Sequence, residues 1–149
     1  MREKTAENQR KKARLILLGA ALLLAALLLI PRLVGKTEKT AESAEDRLAF
    51  LASLGWEADP ESEETRPVTI PDCAEGAMAS YNELVKRGGY DLSSFQGQTV
   101  DMFQYRLLNY PGTEQTVYAT LYVSDDRVIG GDIHSAALDG FIHELRARE

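Results

Sequence analysis

An unbroken run of apolar side chains occupies residues 15–30 of the chain. Leu33 and Val34 extend this run past Pro31 and Arg32 to about 20 residues, or about 30 Å of helix, which matches the hydrocarbon thickness of a bilayer. The pattern therefore predicts a transmembrane helix over residues 15–34, with the lipid bilayer as its partner. A cleaved signal peptide is the alternative interpretation, although the run is longer than a usual signal core and no clear small-residue cleavage motif follows it.

Basic side chains are concentrated on the amino-terminal side of this run. Residues 1–14 carry six basic and two acidic side chains, and a basic cluster at residues 10–14 directly precedes the apolar run. Because cationic flanks stay on the cytoplasmic side, we expect residues 1–14 to form a cytoplasmic tail. Residues 35–45 are then a polar spacer, and residues 46–149 an extracytoplasmic domain tethered to the cell membrane.

The first predicted helix of this domain lies directly after the spacer. Leu48, Leu51 and Leu54 recur at helical spacing and form one apolar stripe. Gly55 follows the stripe, as is typical of the residue after a helix end. The pattern predicts an amphipathic helix that ends at this glycine.

A second predicted helix occupies the region of residues 74–85, where apolar side chains again recur at helical spacing. Asp72 and Glu75 precede it at the spacing of a capping box. Gly88 and Gly89 follow it and predict its end.

The remainder of the chain predicts antiparallel strands. Alternating apolar and polar positions indicate strands within residues 66–71, 101–110, 116–124 and 127–135. Pro111–Gly112 and Asp125–Asp126 supply turns between the last three. The prolines of the first strand favour a sheet edge. The predicted fold class is α+β, a two-layer sandwich with the helices packed on one face of a small antiparallel sheet, preceded by one N-terminal transmembrane helix.

Charge and cysteine content exclude some classes of function. The chain has a formal net charge of −6 although residues 1–14 are basic, so the exported part is strongly acidic. Nucleic-acid binding depends on clustered Lys and Arg, so no nucleic-acid partner is expected.

Cys73 is the only cysteine, which excludes an internal disulfide. The acid-rich stretch at residues 57–64 lacks the turn glycine of a calcium loop and indicates a solvated loop.

The segment VIGGDIHS, residues 128–135, is a candidate functional segment because it combines two glycines with an acid and a histidine. Strand alternation places Ile129, Gly131 and Ile133 on one face, and Asp132 and His134 on the other. The glycines then leave room for a bulky neighbour or for a close backbone approach. This structural use of the glycines requires no ligand.

Asp132 and His134, with His143 downstream, are the candidate residues for metal or acid–base chemistry. A histidine with a carboxylate can bind Zn²⁺ or act as an oriented general base. The alternative is structural, with Asp132 capping a turn or meeting an arginine and His134 ending a strand. The sequence has no Gly-x-Ser-x-Gly elbow and no histidine partner for its cysteine. We therefore predict no catalytic residue, no metal and no cofactor, and no enzymatic activity.

Tyr118 and Tyr122 share one face of the predicted strand within residues 116–124. With Tyr105 and Tyr110 nearby in sequence, they form a candidate aromatic binding surface for an envelope protein or peptide. The alternative is that helices cover this face, in which case the tyrosines belong to the core.

Several segments together resemble one known family, in the order LGWEADP, VTIPDC, YNELVKRGGYDLSSFQGQTV, YRLLNYPG, LYVSDDRVIGGDIHS and LDGF. The family is domain of unknown function 4830, found in small membrane-anchored proteins of Firmicutes. The resemblance covers about residues 46–141 and implies a Gram-positive origin and a similar fold. It implies no catalytic residues.

These observations together predict a single-pass membrane protein with an extracytoplasmic, non-enzymatic binding or interaction module at the bacterial cell envelope. The alternative is a metal-dependent or hydrolytic domain that uses Asp132 and His134. A third hypothesis is an accessory subunit of an envelope complex with an obligate partner.

Overall fold

The computed structural model describes residues 40–146. The predicted cytoplasmic tail, the predicted transmembrane helix over residues 15–34 and residues 35–39 of the predicted spacer lie outside these residues. Within residues 40–146, no helix is both long enough and apolar enough to cross a membrane.

Five antiparallel strands form one sheet, and each strand pairs with its neighbours in sequence. The strands are β1 (Glu64–Thr69), β2 (Thr99–Arg106), β3 (Val117–Ser124), β4 (Arg127–Ser135) and β5 (Ile142–Glu144). The predicted meander of the three long strands is confirmed, and β1 lies at an edge, as its proline indicated. The short strand β5, at the opposite edge, was not predicted.

Helix α1 spans Ala44–Ser53 and begins at a capping box. The Ser43 hydroxyl accepts a hydrogen bond from the N–H of Asp46, whose carboxylate accepts one from the N–H of Ser43. Phe50 and Leu51 are buried on its inner face. The predicted first helix is thus confirmed, and its position is defined by a local cap and an apolar face.

Helix α2 spans Gly76–Arg87. The capping box predicted before it is wrong, because Glu75 is the N-cap residue and makes no side-chain cap hydrogen bond. The Asp72 carboxylate instead accepts hydrogen bonds from the N–H of Ala74 and the side-chain amide of Gln96. Asp72 therefore stabilises the loop before the helix and not the helix end.

The two helices pack on opposite faces of the sheet. Phe50 and Leu51 of α1 belong to the core cluster that contains Leu121 and Ile133, so we call this side the α1 face. Val85 of α2 belongs to a separate cluster on the other side, the α2 face. The predicted two-layer sandwich with both helices on one face is therefore wrong, although the α+β class is confirmed. Both faces of the long strands carry apolar side chains, and the alternation pattern does not assign a helix to either face.

A β-bulge interrupts the pairing of β3 with β4. Tyr122 pairs with Gly130 and Val123 with Val128, which leaves Ile129 without an opposite residue. Ile129 consequently packs in the α2-face cluster, on the same side as the space above Gly130. The predicted strict alternation of this segment is wrong at Ile129.

The two glycines of β4 permit close packing on both sides of the sheet. A Cβ at Gly131 would lie 2.1 Å from the carbonyl oxygen of Thr120, a separation that no side chain tolerates. A Cβ at Gly130 would lie 2.8 Å from Leu92 Cδ2 and 3.1 Å from Val85 Cγ1. The predicted structural role of these glycines is confirmed.

Candidate functional site

A row of polar residues crosses all five strands on the α2 face. Successive register pairs join Glu64, Gln104, Thr120, Asp132 and Glu144. We call this set the polar row. A sheet face that a helix covers completely is normally apolar, so a polar row indicates that α2 covers this face only in part.

Helix α2 covers only one end of this face. Val85 packs over Gly130 and Leu92 at that end. At the other end Gln104, Tyr118 and His134 are half-buried rather than fully covered. The uncovered end is therefore the accessible part of the α2 face.

Two neighbouring clefts open on this accessible part. The central cleft, of about 290 Å³, is lined by Arg66, Met102, Gln104, Thr120, Tyr122, Asp132, His134 and Ile142. The acidic cleft, of about 550 Å³, is lined by Asp59, Glu61, Ser62, Glu63, Glu64, Arg106 and Tyr118. The clefts adjoin, because Glu64 pairs with Gln104 and Tyr118 pairs with His134 across adjacent strands.

Asp132 holds the imidazole of His134 in a defined orientation. His134 Nδ1 lies 2.7 Å from Asp132 Oδ1, and His134 Nε2 lies 3.2 Å from the amide nitrogen of Gln104. An amide nitrogen only donates, so Nε2 accepts and the ring proton lies on Nδ1, which donates to Asp132. The sequence candidates Asp132 and His134 are thus adjacent, as alternation on one strand predicted.

Tyr81 of α2 holds the other oxygen of the same carboxylate. Its hydroxyl donates to Asp132 Oδ2 over 2.5 Å. Burial raises the pKa of Tyr81, and the negative charge of Asp132 raises it further, so the phenol stays protonated and continues to donate. Asp132 itself is only 4% exposed. This carboxylate therefore links α2 to the edge of the central cleft.

Thr120, at the centre of the polar row, is only 5% exposed, and it lines the central cleft. Its hydroxyl makes no hydrogen bond with any residue in the 40–146 range, although every fully enclosed side-chain polar atom there has a partner. The hydroxyl is thus open to the cleft. A nearly buried donor and acceptor of this kind is available to a ligand.

The third candidate ligand, His143, lies on the α1 face and is not part of this site. It pairs with Ile133 on the neighbouring strand, and its Nε2 lies 3.1 Å from the hydroxyl of Tyr110. Its Nδ1 lies 2.7 Å from the carbonyl oxygen of Glu144. Across residues 40–146 the structure contains no group of three or more His, Cys, Asp or Glu side chains placed to hold a metal ion.

The candidate tyrosines Tyr118 and Tyr122 both lie on the α2 face but in different surroundings. The ring of Tyr118 stacks on His134 with centroids 5.8 Å apart, at the accessible end. Tyr122 meets Tyr81 of α2 edge to face at 6.3 Å, at the border of the covered end. Tyr105, by contrast, is fully buried in the α1-face cluster. Tyr118 lines the acidic cleft and Tyr122 lines the central cleft.

Sequence reasoning missed Arg66, Gln104 and Thr120 as members of the site. Each lies on a different strand, and only the register of β1, β2 and β3 brings them together. A weak signal existed in the alternation of β2, where Gln104 lies between the apolar residues Phe103 and Tyr105.

The fold and the site together define a small α+β domain with a polar cleft on a partly covered sheet face. The profile of the family described as Domain of unknown function (DUF4830) matches residues 50–133, more than half of the chain. The protein belongs to this family, which confirms the resemblance seen in the sequence. Neither the search of curated proteins nor the search of solved structures returned a match.

Proposed function

We propose that the protein is a single-pass membrane protein of the bacterial cell envelope whose extracytoplasmic domain binds a partner through the central cleft. The apolar run over residues 15–34 and the basic cluster at residues 10–14 support the membrane anchor and its orientation. Three members of the polar row, Gln104, Thr120 and Asp132, line the central cleft, and this supports a binding role for the exported domain.

One observation carries the binding role, namely the open hydroxyl of Thr120. The hydroxyl makes no hydrogen bond within residues 40–146, and Thr120 is 5% exposed and lines the central cleft, so cleft water or a ligand is what this hydroxyl can bond to. A ligand that hydrogen-bonds to the hydroxyl accounts for the threonine. Because no intramolecular hydrogen bond is lost, Thr120→Val is predicted to leave the free energy of unfolding nearly unchanged.

The chemistry of the cleft favours a protein or peptide partner. Gln104 and Thr120 offer donors and acceptors that match peptide groups, and Tyr118, in the adjoining acidic cleft, offers an aromatic ring with low conformational entropy. The acidic cleft next to them repels polyanions, since Glu61 and Glu64 make no ion pair with any other residue between 40 and 146.

Photocrosslinking in living cells of the native host tests this proposal. The full chain carries a benzoylphenylalanine at Tyr118, and a matched variant carries it at Glu45, an exposed position on α1. We expect a discrete adduct from position 118, absent from position 45 and reduced by Thr120→Val. Equal adduct patterns at the two positions, or no adduct from position 118, contradict binding through the cleft.

The orientation of His134 favours a second candidate, acid–base or metal-assisted hydrolysis. The 2.7 Å hydrogen bond from Nδ1 to Asp132 is the arrangement that orients a histidine base, although a substrate would first have to displace the Gln104 amide from Nε2. Elemental analysis of the purified full chain discriminates between the two. A stoichiometric metal that is lost in His134→Ala supports the hydrolytic candidate, and a metal-free protein that still forms the Tyr118 adduct supports the binding module.

A further inference from the structure

Arg66 is an arginine without an acidic partner in an acidic domain. It lies on β1, is exposed, and lines the central cleft. Other basic side chains of the described chain form ion pairs, as in Arg47–Glu63, Lys86–Glu83, Arg87–Glu144 and Arg106–Asp59. Arg66 forms none with any residue in the same range, so its guanidinium remains available to an anion.

Arg66 lies close to two members of the polar row, Gln104 and Thr120. It pairs with Met102, two residues along the register from the Glu64–Gln104 pair, and adjacent strands are about 4.8 Å apart. Arg66, Gln104 and Thr120 all line the central cleft, so a group bound to the guanidinium lies near both polar side chains. The hydroxyl of Thr120 and the amide of Gln104 are hydrogen-bonding groups that match a peptide unit.

Apolar side chains complete the walls of the central cleft. Met102 is buried beside Arg66, and Ile142 at the far wall is 48% exposed. Ile142 pairs with His134 across β4 and β5, so it lies beside the accessible end. A ligand with a small or medium apolar side chain would cover this exposed surface.

From these contacts we propose that the central cleft binds the free carboxyl terminus of a peptide. The guanidinium of Arg66 binds the terminal carboxylate through two parallel, charge-assisted hydrogen bonds, a bidentate contact. Thr120 and Gln104 bind the last peptide group, and the terminal side chain lies against Met102 and Ile142. Glu61 and Glu64 in the acidic cleft select against ligands that carry further negative charge. This inference rests on the proposed binding function and specifies its ligand.

Nuclear magnetic resonance of the isotope-labelled full chain in detergent micelles tests the inference. The probes are a library of N-acetylated tripeptides with free carboxyl termini and the same library with amidated termini. We expect the free-acid library to shift the side-chain amide signal of Gln104 and the backbone amide signals of Thr120 and His134. The amidated library, which lacks the charge, is expected to produce no comparable shift.

Two variants with the same change in net charge separate Arg66 from general electrostatics. Arg66→Gln is expected to weaken binding of the free-acid library about tenfold or more, because it removes the charged guanidinium that binds the carboxylate. Lys86→Gln, outside the cleft and paired with Glu83 of its own helix, is expected to leave binding unchanged. Circular dichroism of both variants checks that the fold is retained.

The outcomes distinguish this inference from the proposed function. Equal shifts by both libraries, or equal weakening by both variants, contradict carboxylate recognition while the cleft remains a binding site. Shifts of the same residues by an N-acetylglucosamine trimer, unaffected by Arg66→Gln, identify a glycan site and contradict the inference. No shift with any probe also contradicts it, and the Tyr118 crosslinking then decides the proposed function separately.

Discussion

Asp132 and His134 are joined by a 2.7 Å hydrogen bond between Oδ1 and Nδ1 on the α2 face of β4. The same carboxylate accepts the hydroxyl of Tyr81, so one buried side chain serves two donors from two elements. The arrangement fixes the histidine ring at the edge of the central cleft and ties it to α2. It also means that a change at Asp132 alters both the site and the packing of the helix.

Asp132→Asn is predicted to disturb the His134 ring and to destabilise the fold. Tyr81 and His134 donate to different oxygens of Asp132, and an asparagine replaces one of these oxygens with an NH2 group that only donates. One buried donor therefore loses its acceptor, at a cost of about 1–3 kcal/mol. Chemical denaturation measures the free energy of unfolding, and ¹⁵N spectra of the imidazole report which nitrogen carries the proton. Asp125→Asn, in the exposed β3–β4 turn, serves as the control and is expected to change neither quantity. An unaltered tautomer in Asp132→Asn would show that the carboxylate does not orient the ring.

The two glycines of β4 are predicted to differ in their tolerance of alanine. At Gly131 the new Cβ meets a backbone oxygen at 2.1 Å, and the sheet must separate to accommodate it. At Gly130 it meets the ends of the Leu92 and Val85 side chains, which are able to move. We expect Gly131→Ala to cost about 3 kcal/mol or more and Gly130→Ala clearly less. Urea denaturation of both variants checks the order, and a Gly131→Ala variant as stable as Gly130→Ala contradicts the β3–β4 pairing described.

Arg47 is predicted to be essential for the packing of α1. Its guanidinium lies 3.0 Å from Glu63, donates to the hydroxyl of Tyr105 and lies 3.7 Å above the ring centroid of Phe103. Burial tends to raise the pKa of Glu63, but hydrogen bonds from Tyr105 and Arg47 outweigh it, and that pKa is lower than usual. Arg47→Ala leaves this carboxylate without its cation.

The expected cost of Arg47→Ala is about 2 kcal/mol or more, because the arginine is buried whereas Glu63 keeps 26% of its side-chain surface exposed. Lys86→Ala, which breaks the exposed pair with Glu83, is the matched control and is expected to change the stability little. Thermal unfolding of the two variants measures the difference. Similar melting temperatures for both would place Arg47 outside the core.

The ionised carboxylate of Asp91 is predicted to stabilise the fold, and this contribution is predicted to disappear in strong acid. Hydrogen bonds from the side chains of Ser93 and Asn82 lower its pKa from 3.8 to about 2. Because the pKa is lower in the folded state, the stabilisation is complete above pH 3.8 and is lost as the pH falls toward 2. Asp91→Asn is expected to lower the stability at pH 6 and to flatten its decline between these pH values.

Denaturation midpoints measured from pH 6 to pH 2 check this prediction for Asp91. Glu114→Gln, at an exposed loop position, is the control and is expected to follow the parent protein. A decline as steep in Asp91→Asn as in the parent would assign the acid sensitivity to other carboxylates.

Local patterns were sufficient to predict most of the secondary structure. In β3 the strict alternation identified one buried face, and Val117, Ala119 and Leu121 are indeed buried together. Asp125 and Asp126 adopt φ values of 48° and 59°, as a two-residue hairpin turn requires, so this predicted turn is confirmed. These features are determined by interactions between residues close in sequence, so local sequence patterns are sufficient to predict them.

Features that depend on tertiary packing were not predictable in the same way. The opposite placement of α1 and α2, the bulge at Ile129 and the burial of His143 on the α1 face all result from pairing between distant segments. The candidate site also depends on pairing between distant segments, because only the strand register brings Arg66, Gln104 and Thr120 together. The pair Asp132 and His134 was recognisable because both residues lie on one strand, two positions apart.

Membrane topology decides whether the cleft faces the envelope at all, and cysteine labelling measures it most directly. The full chain carries Cys73→Ala with Ser80→Cys, an exposed position on α2, and a second variant carries Arg2→Cys in place of Ser80→Cys. Intact cells are treated with a membrane-impermeant maleimide. We predict that Ser80→Cys is labelled in intact cells and Arg2→Cys only after lysis. Labelling of Ser80→Cys only after lysis would put the domain in the cytoplasm and contradict the proposed function.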